Sequence, residues 1–187
     1  MENQLGRPRD PSPNPGDRSS PVLASGPCWY ALRTRSRHEK RVWAQLESRG
    51  IEVFLPLIGR RSRWKDRTVQ VQWPLFPGYC FARFPWQQRL RVLTARGVVE
   101  VLGANGRAVP VPDVEIEAIR RLVTSTLPVD PHPSLEAGMA VEIRRGPLEG
   151  LRGVLIRKAG RARLVVSVSL IRQGASVQID ADDVVQV

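Results

Sequence analysis

The chain has 187 residues, with 29 Arg and Lys against 18 Asp and Glu for a formal net charge of +11, and only Lys40, Lys65 and Lys158 are lysines. An excess carried almost wholly by guanidinium favours phosphate or carboxylate-rich partners, while two cysteines exclude a disulfide framework and a four-thiolate metal site. No stretch approaches the ~20 consecutive apolar residues of a membrane span, so the chain reads as soluble and cytoplasmic.

Residues 1–27 hold Pro at positions 8, 11, 13, 15, 21 and 27, few large apolar side chains and no signal-peptide core, and read as a disordered tail outside the fold. Cys28 to Arg33 is an apolar and aromatic run that predicts a first strand. Ser36 and Glu39 stand at capping-box spacing, Val42, Trp43 and Leu46 share a helical face, and Gly50 suits the left-handed position after a helix. A helix of about three turns follows, its exposed face carrying Arg37, Lys40, Arg41 and Arg49. Ile51 to Leu55 predicts a second strand, stopped by Pro56. Next come Arg60, Arg61, Arg63, Lys65 and Arg67, then the alternating run Thr68 to Trp73, which together predict a hairpin with a basic tip. In one extended strand, residues 61, 63, 65 and 67 would share a face at intervals of ~6.7 Å.

Tyr79 to Phe84 predicts another strand, Trp86 to Arg96 a helix closed by Gly97, and Val98 to Leu102 a strand before an Asn105-Gly106 turn. Asp113 opens a last helix with Ile116, Ile119 and Leu122 or Val123 turned inward. Three prolines, Pro128, Pro131 and Pro133, mark residues 128–133 as a stiff linker between a domain at 28–127 and another at 134–187. In the second, short Val- and Leu-rich runs at 140–144, 151–158, 161–170, 175–179 and 182–185 predict a small five-stranded barrel, with tight turns at Gly146, Gly150 and Gly153. Charge follows the same division: residues 28–127 hold 18 bases against 8 acids, and residues 134–187 hold 8 against 6.

Two segments carry a family signature. Trp29-Tyr30-Ala31-Leu32, the basic helix, Leu75-Phe76-Pro77-Gly78-Tyr79 and Arg96-Gly97-Val98 resemble the N-terminal domain of NusG-like transcription factors. Gly138 to Leu155, with Gly146-Pro147-Leu148-Glu149-Gly150-Leu151-Arg152-Gly153-Val154, resembles a KOW motif. The divergent basic hairpin is most similar to specialised paralogues of the RfaH and UpxY type. The resemblance implies an α+β fold, an antiparallel sheet packed with helices followed by an SH3-like all-β KOW barrel. It also implies a monomeric antitermination factor that rests on the clamp helices of the RNA polymerase β′ subunit, meets upstream duplex or non-template DNA, and suppresses pausing for a specialised operon.

By position, Phe76, Tyr79 and Phe81 match polymerase-contacting residues, and strand alternation puts Tyr79 and Phe81 on one face. Phe76 reads equally as core. Arg35, His38, Arg41 and Arg96 match residues that touch DNA, where Arg can fork onto phosphate or stack on a base. Trp64, amid Arg61, Arg63, Lys65 and Arg67, can stack on a base or fold back on the sheet, and Trp29, Trp43, Trp73 and Trp86 read as core. Leu170 and Ile171 match the barrel surface through which relatives bind Rho or a small-subunit ribosomal protein. His38 and His132 are too isolated for a metal or acid/base site, and no phosphate-cradling glycine loop or nucleophile elbow is present. A non-enzymatic protein without cofactor or metal is expected. A general RNA- or DNA-binding module without polymerase contact is the alternative reading.

Overall fold

The computed structural model describes residues 26–64, 67–104, 107–132, 138–158 and 161–187. Lys65 and the Asn105-Gly106 turn lie outside the described residues, as do residues 1–25 of the tail and Pro133. The first part of the chain runs β1 (Cys28–Thr34), α1 (Glu39–Ser48), β2 (Glu52–Phe54), β3 (Leu57–Trp64), β4 (Arg67–Pro74), β5 (Tyr79–Phe84), α2 (Arg89–Leu93), β6 (Val98–Val101), β7 (Gly103–Ala104), β8 (Arg107–Ala108) and α3 (Asp113–Thr124). Strands β2, β5, β1 and β6, in that order, form an antiparallel sheet, while β3 and β4 pair only with each other as a separate hairpin.

Alternation along β1 and β5 divides the core. Tyr30, Leu32, Cys80, Ala82 and Phe84 pack beneath Val42 and Leu46 of α1 and Val92 of α2. Trp29, Ala31 and Phe81 are on the opposite face and join Ile116, Ile119 and Leu122 of α3. Burying both faces of a sheet between helices excludes water from each, the dominant favourable term in such a fold.

The remaining chain adds β9 (Val129–His132), β10 (Met139–Ile143), β11 (Arg152–Lys158), β12 (Arg161–Val168), β13 (Gln173–Gln178) and β14 (Val184–Gln186). They form an all-β antiparallel sheet in the order β14-β10-β11-β12-β13-β9. Five of the six match the expected strands. The sixth, β9, falls where the sequence predicts linker: residues 129–132 pair with Val177 to Gly174 of β13. Pro131 is accommodated there because β9 is an edge strand, whose alternate N–H positions face away from the ladder.

Two local expectations differ from the structure. The Ser36–Glu39 capping box does not form: His38 precedes α1 without a side-chain cap, and Glu39 is buried with its carboxylate turned to the Gly78 N–H at 2.8 Å. The helix predicted over 86–96 is a 3-10 turn at Trp86–Gln88 followed by five α-helical residues. Its extension stops because the Arg96 N–H donates to the Gln45 side chain at 3.0 Å, while the Ala95 N–H closes a tighter turn onto Val92.

Helix α3 also meets the C-terminal sheet. Glu115 accepts from the Ser169 N–H at 3.1 Å and from its hydroxyl at 2.8 Å, and the Arg121 guanidinium donates to the Glu149 carbonyl. The apolar cluster containing Phe76 and Phe81 continues through α3 to Val141, Leu148, Leu164, Val166 and Ile171.

Candidate functional site

Register, more than local sequence, assembles the aromatic surface. Arg33 pairs with Tyr79 and Ala31 with Phe81 across β1 and β5, and Phe54 of β2 lies opposite Phe81. Cross-strand partners share a face, so Arg33, Tyr79, Phe81 and Phe54 form one ledge, as alternation predicts for Tyr79 and Phe81. The Phe54 and Phe81 rings stack with centroids 6.1 Å apart, and Phe76 meets Phe81 edge-on at 6.2 Å. Helix α3 covers the end of the ledge away from Tyr79. Its Arg120 guanidinium lies 5.1 Å from the Phe54 ring and 5.9 Å from the Trp29 ring, and Asp113 approaches Arg83 at 3.9 Å.

This placement decides exposure. Phe81 and Phe76 are sealed, at 0% and 1% exposed, whereas Tyr79 is half-buried beside Arg33, which pairs with Glu100 at 2.7 Å. Of the three aromatic residues expected to meet polymerase, Tyr79 alone reaches the surface in this arrangement. The turn that carries it is held from two sides: Gly78 donates to Glu39 of α1, and its carbonyl accepts the Thr34 N–H at 2.8 Å.

Arg35, His38, Arg41 and Arg96 come together around the start of α1. The Arg35 N–H donates to the Gly97 carbonyl at 2.8 Å, and His38 packs against Gly97. Gln45 clasps the Arg96 backbone, donating to its carbonyl at 3.0 Å and accepting from its N–H, and also donates to the Arg41 carbonyl at 3.1 Å. The three arginine side chains are exposed, and His38 is half-buried with Nδ1 2.9 Å from the Ser36 carbonyl. Because Arg33 belongs to the ledge and Arg35 to this cluster, the two surfaces adjoin at the end of β1.

Of positions 61, 63 and 67, which would share a face in one extended strand, the hairpin keeps only the first two together. Arg63 pairs with Thr68 and Arg61 with Gln70, whereas Arg67 pairs with Trp64 and falls on the opposite face with Arg60. Strands β3 and β4 pair antiparallel, so period two does not carry from Arg63 to Arg67. Arg61, Arg63 and Arg67 are exposed; the Trp64 side chain and all of Lys65 lie outside the described residues. In the C-terminal sheet, the 3-10 turn Ser169–Ile171 carries the expected partner residues, but Ile171 is buried, Leu170 is half-buried, and Ser169 is bound to Glu115.

Sequence reasoning missed Trp43 and Trp73, expected as core but 37% and 50% exposed. It also missed Lys40, whose ammonium donates to the Gln72 carbonyl at 2.9 Å and ties α1 to β4. Alternation of Val69, Val71 and Trp73 signals a sheet face but not whether anything covers it, and among the described residues β3–β4 pairs with no third strand. Within the sheet, burial first and then the nearby Glu39 carboxylate push the Cys80 thiol up to about 12, leaving an uncharged apolar filler rather than a nucleophile.

Comparison with known proteins adds four findings. The family described as transcription termination factor NusG matches residues 27–120. A structure titled "Domain interaction in Thermotoga maritima NusG" matches with a TM-score of 0.51 and 24% identity, covering 86% of this chain and 97% of that one. An MjSpt4:Spt5 complex matches at 18% identity and a TM-score of 0.29, covering 85% of this chain and 96% of that one. No curated protein matches the chain.

Proposed function

The chain belongs to the NusG family of transcription factors, and from that membership we propose that it acts as an antitermination factor that binds elongating RNA polymerase and DNA together. The observation that carries this reading is the meeting of the Arg33–Tyr79 ledge of the four-stranded sheet with the Arg35, His38, Arg41 and Arg96 cluster where β1 ends and α1 begins. A body that presents the half-buried Tyr79 ring and Arg33 beside a cluster of exposed cations can rest on protein and hold nucleic acid at the same time. Binding the closed, elongating clamp better than the open, paused one shifts that equilibrium by the difference in affinity. No covalent step is required.

In this reading Tyr79 and Arg33 make first contact with the β′ clamp helices. Phe76 and Phe81 contribute only when the packing that seals them opens. Arg35, His38, Arg41 and Arg96 meet upstream duplex or non-template DNA, and Arg61, Arg63 and Arg67 extend that reach along the hairpin. Residues 28–127 act as the polymerase and DNA unit, and residues 134–187 as a KOW recruitment unit offering Leu170 and Ile171 to Rho or a small-subunit ribosomal protein once the Glu115–Ser169 contact is released. A specialised operon is the proposed setting.

Tyr79→Ala tests the reading against a plain nucleic-acid-binding module. The expected outcome is loss of co-migration with elongation complexes and loss of read-through, with DNA affinity within about twofold of the parent; a change smaller than 1.4 kcal/mol is less than tenfold in binding. Unchanged co-migration overturns the polymerase contact and favours the alternative.

A further inference from the structure

Strand β9 is four residues long, follows Pro128 and contains Pro131, yet it completes the edge of the C-terminal sheet. Its neighbour β13 is paired along its whole length with β12 on the other side. Arg163 of β12 reaches across β13 to this edge. Its guanidinium donates to the Ser176 hydroxyl at 3.2 Å and carbonyl at 3.3 Å, and then to the Asp130 carboxylate of β9 at 2.6 Å. The Arg163 side chain is 18% exposed and that of Asp130 61%. The cation is thus fixed by the sheet, and the anion comes from the rim. Past Val129, which pairs with Val177, β9 ends while β13 runs on to Gln178. There the exposed Arg161, on the same face of β12 as Arg163 by alternation, donates to the Gln178 side chain at 3.3 Å. A groove of about 770 Å³ opens at this point between Leu127 and Asp180. Asp180, the acid on its far rim, already accepts the Asp182 N–H at 3.2 Å.

We propose that the β13 edge is a strand-addition site for an extended acid-apolar-acid segment of a partner protein, and that residues 129–132 occupy it in this structure as a displaceable stand-in. Strand period sets the preference. An acid opposite Ser176 meets Arg163, an apolar residue opposite Val177 turns to the core, and a second acid opposite Gln178 meets Arg161. In the chain itself those positions read Asp130, Val129 and Pro128, so its own strand supplies one acid of the two. Ladder bonds hold any extended segment, and the arginine forks select carboxylates. A nucleic acid matches the charge but carries no row of N–H and C=O groups to continue a sheet. The site stands at the start of β12, whereas the Ser169–Ile171 turn follows its end, so it is separate from the Leu170 and Ile171 surface.

The test uses the full chain and two short labelled peptides, one with the core Glu-Val-Asp-Val and one with the core Gln-Val-Asn-Val. The acidic peptide is expected to bind about tenfold or more tightly than its amide counterpart, as loss of charge-assisted hydrogen bonds dictates. Asp130→Asn loosens the stand-in and is expected to tighten acidic-peptide binding about fivefold, because the open edge is then more populated. Arg161→Gln, at an exposed site, should remove the preference for Glu over Gln while keeping that for Asp over Asn. Hydrogen exchange read on the complex should show the 129–132 amides losing protection and those of β13 keeping theirs. Equal binding of the two peptides overturns the proposal, as does binding that leaves 129–132 protected. Absence of binding to both the parent and Asp130→Asn overturns it as well. If dT20 displaces the acidic peptide and itself depends on Arg161, the groove takes phosphate and the strand-addition site falls.

Discussion

Glu39 and Gly97 fix the geometry of the two surfaces. A carboxylate in the first turn of a helix is favourable on electrostatic grounds alone, yet Glu39 is buried and reaches across to the turn that carries Tyr79. The spacing from Ser36 makes a capping box legible in the sequence; nothing local reveals that Gly78 competes for the same carboxylate. Gly97 sits at φ +111°, where an added Cβ would lie 3.0 Å from the His38 Cβ and 3.1 Å from Val42. Backbone strain and contact act together there. Gly97→Ala is expected to cost more than about 1 kcal/mol, read as a lowered urea midpoint, and to weaken DNA binding because His38 and the Arg35 amide are displaced together.

At the scale of elements, helix α3 joins two apolar bodies. Its buried positions Ile116, Ile119 and Leu122 are those the helical period gives, so its existence and inward face are legible in sequence. That Glu115 would bind Ser169, or that Arg120 would cover Phe54, is not, because both partners come from distant strands. Glu115→Ala removes two hydrogen bonds and is expected to free the Ser169–Ile171 turn by about 1 kcal/mol. Hydrogen exchange should then quicken about fivefold at that turn and remain unchanged in the middle of the β12–β13 ladder. The hairpin teaches the converse lesson: its strands follow from alternation, while the separation of Arg61 and Arg63 from Arg67 follows from where the chain turns.

At the scale of the whole molecule, two buried acids among the described residues oppose folding in alkali. Burial, then Glu39, lifts the Cys80 thiol from 9.0 to about 12, and burial, then Cys28, raises the Tyr30 hydroxyl. The folded chain therefore keeps protons that the unfolded chain releases, and stability must fall as pH rises through the interval from about 9 to 12. Urea midpoints at pH 7 and pH 10 check the sign, and Cys80→Ala is expected to flatten the decline. At pH 8, alkylation of the folded protein should modify half-buried Cys28 and spare Cys80, with both modified in denaturant.

Hydrophobic period, turn residues and the location of charge determined most strands, helices α1 and α3, the α+β then all-β order and the concentration of cations in the first unit, but not β9 or the short extent of α2. Those properties are local, set by neighbours within a few residues along the chain. Only tertiary structure decided that Phe76, Phe81 and Ile171 are covered, that Trp43 and Trp73 are not, and that Arg35 and Arg96 meet through Gly97 and Gln45. Exposure depends on what packs from elsewhere in the chain, and the same alternating pattern serves a buried face and an open one until a third element arrives or fails to arrive.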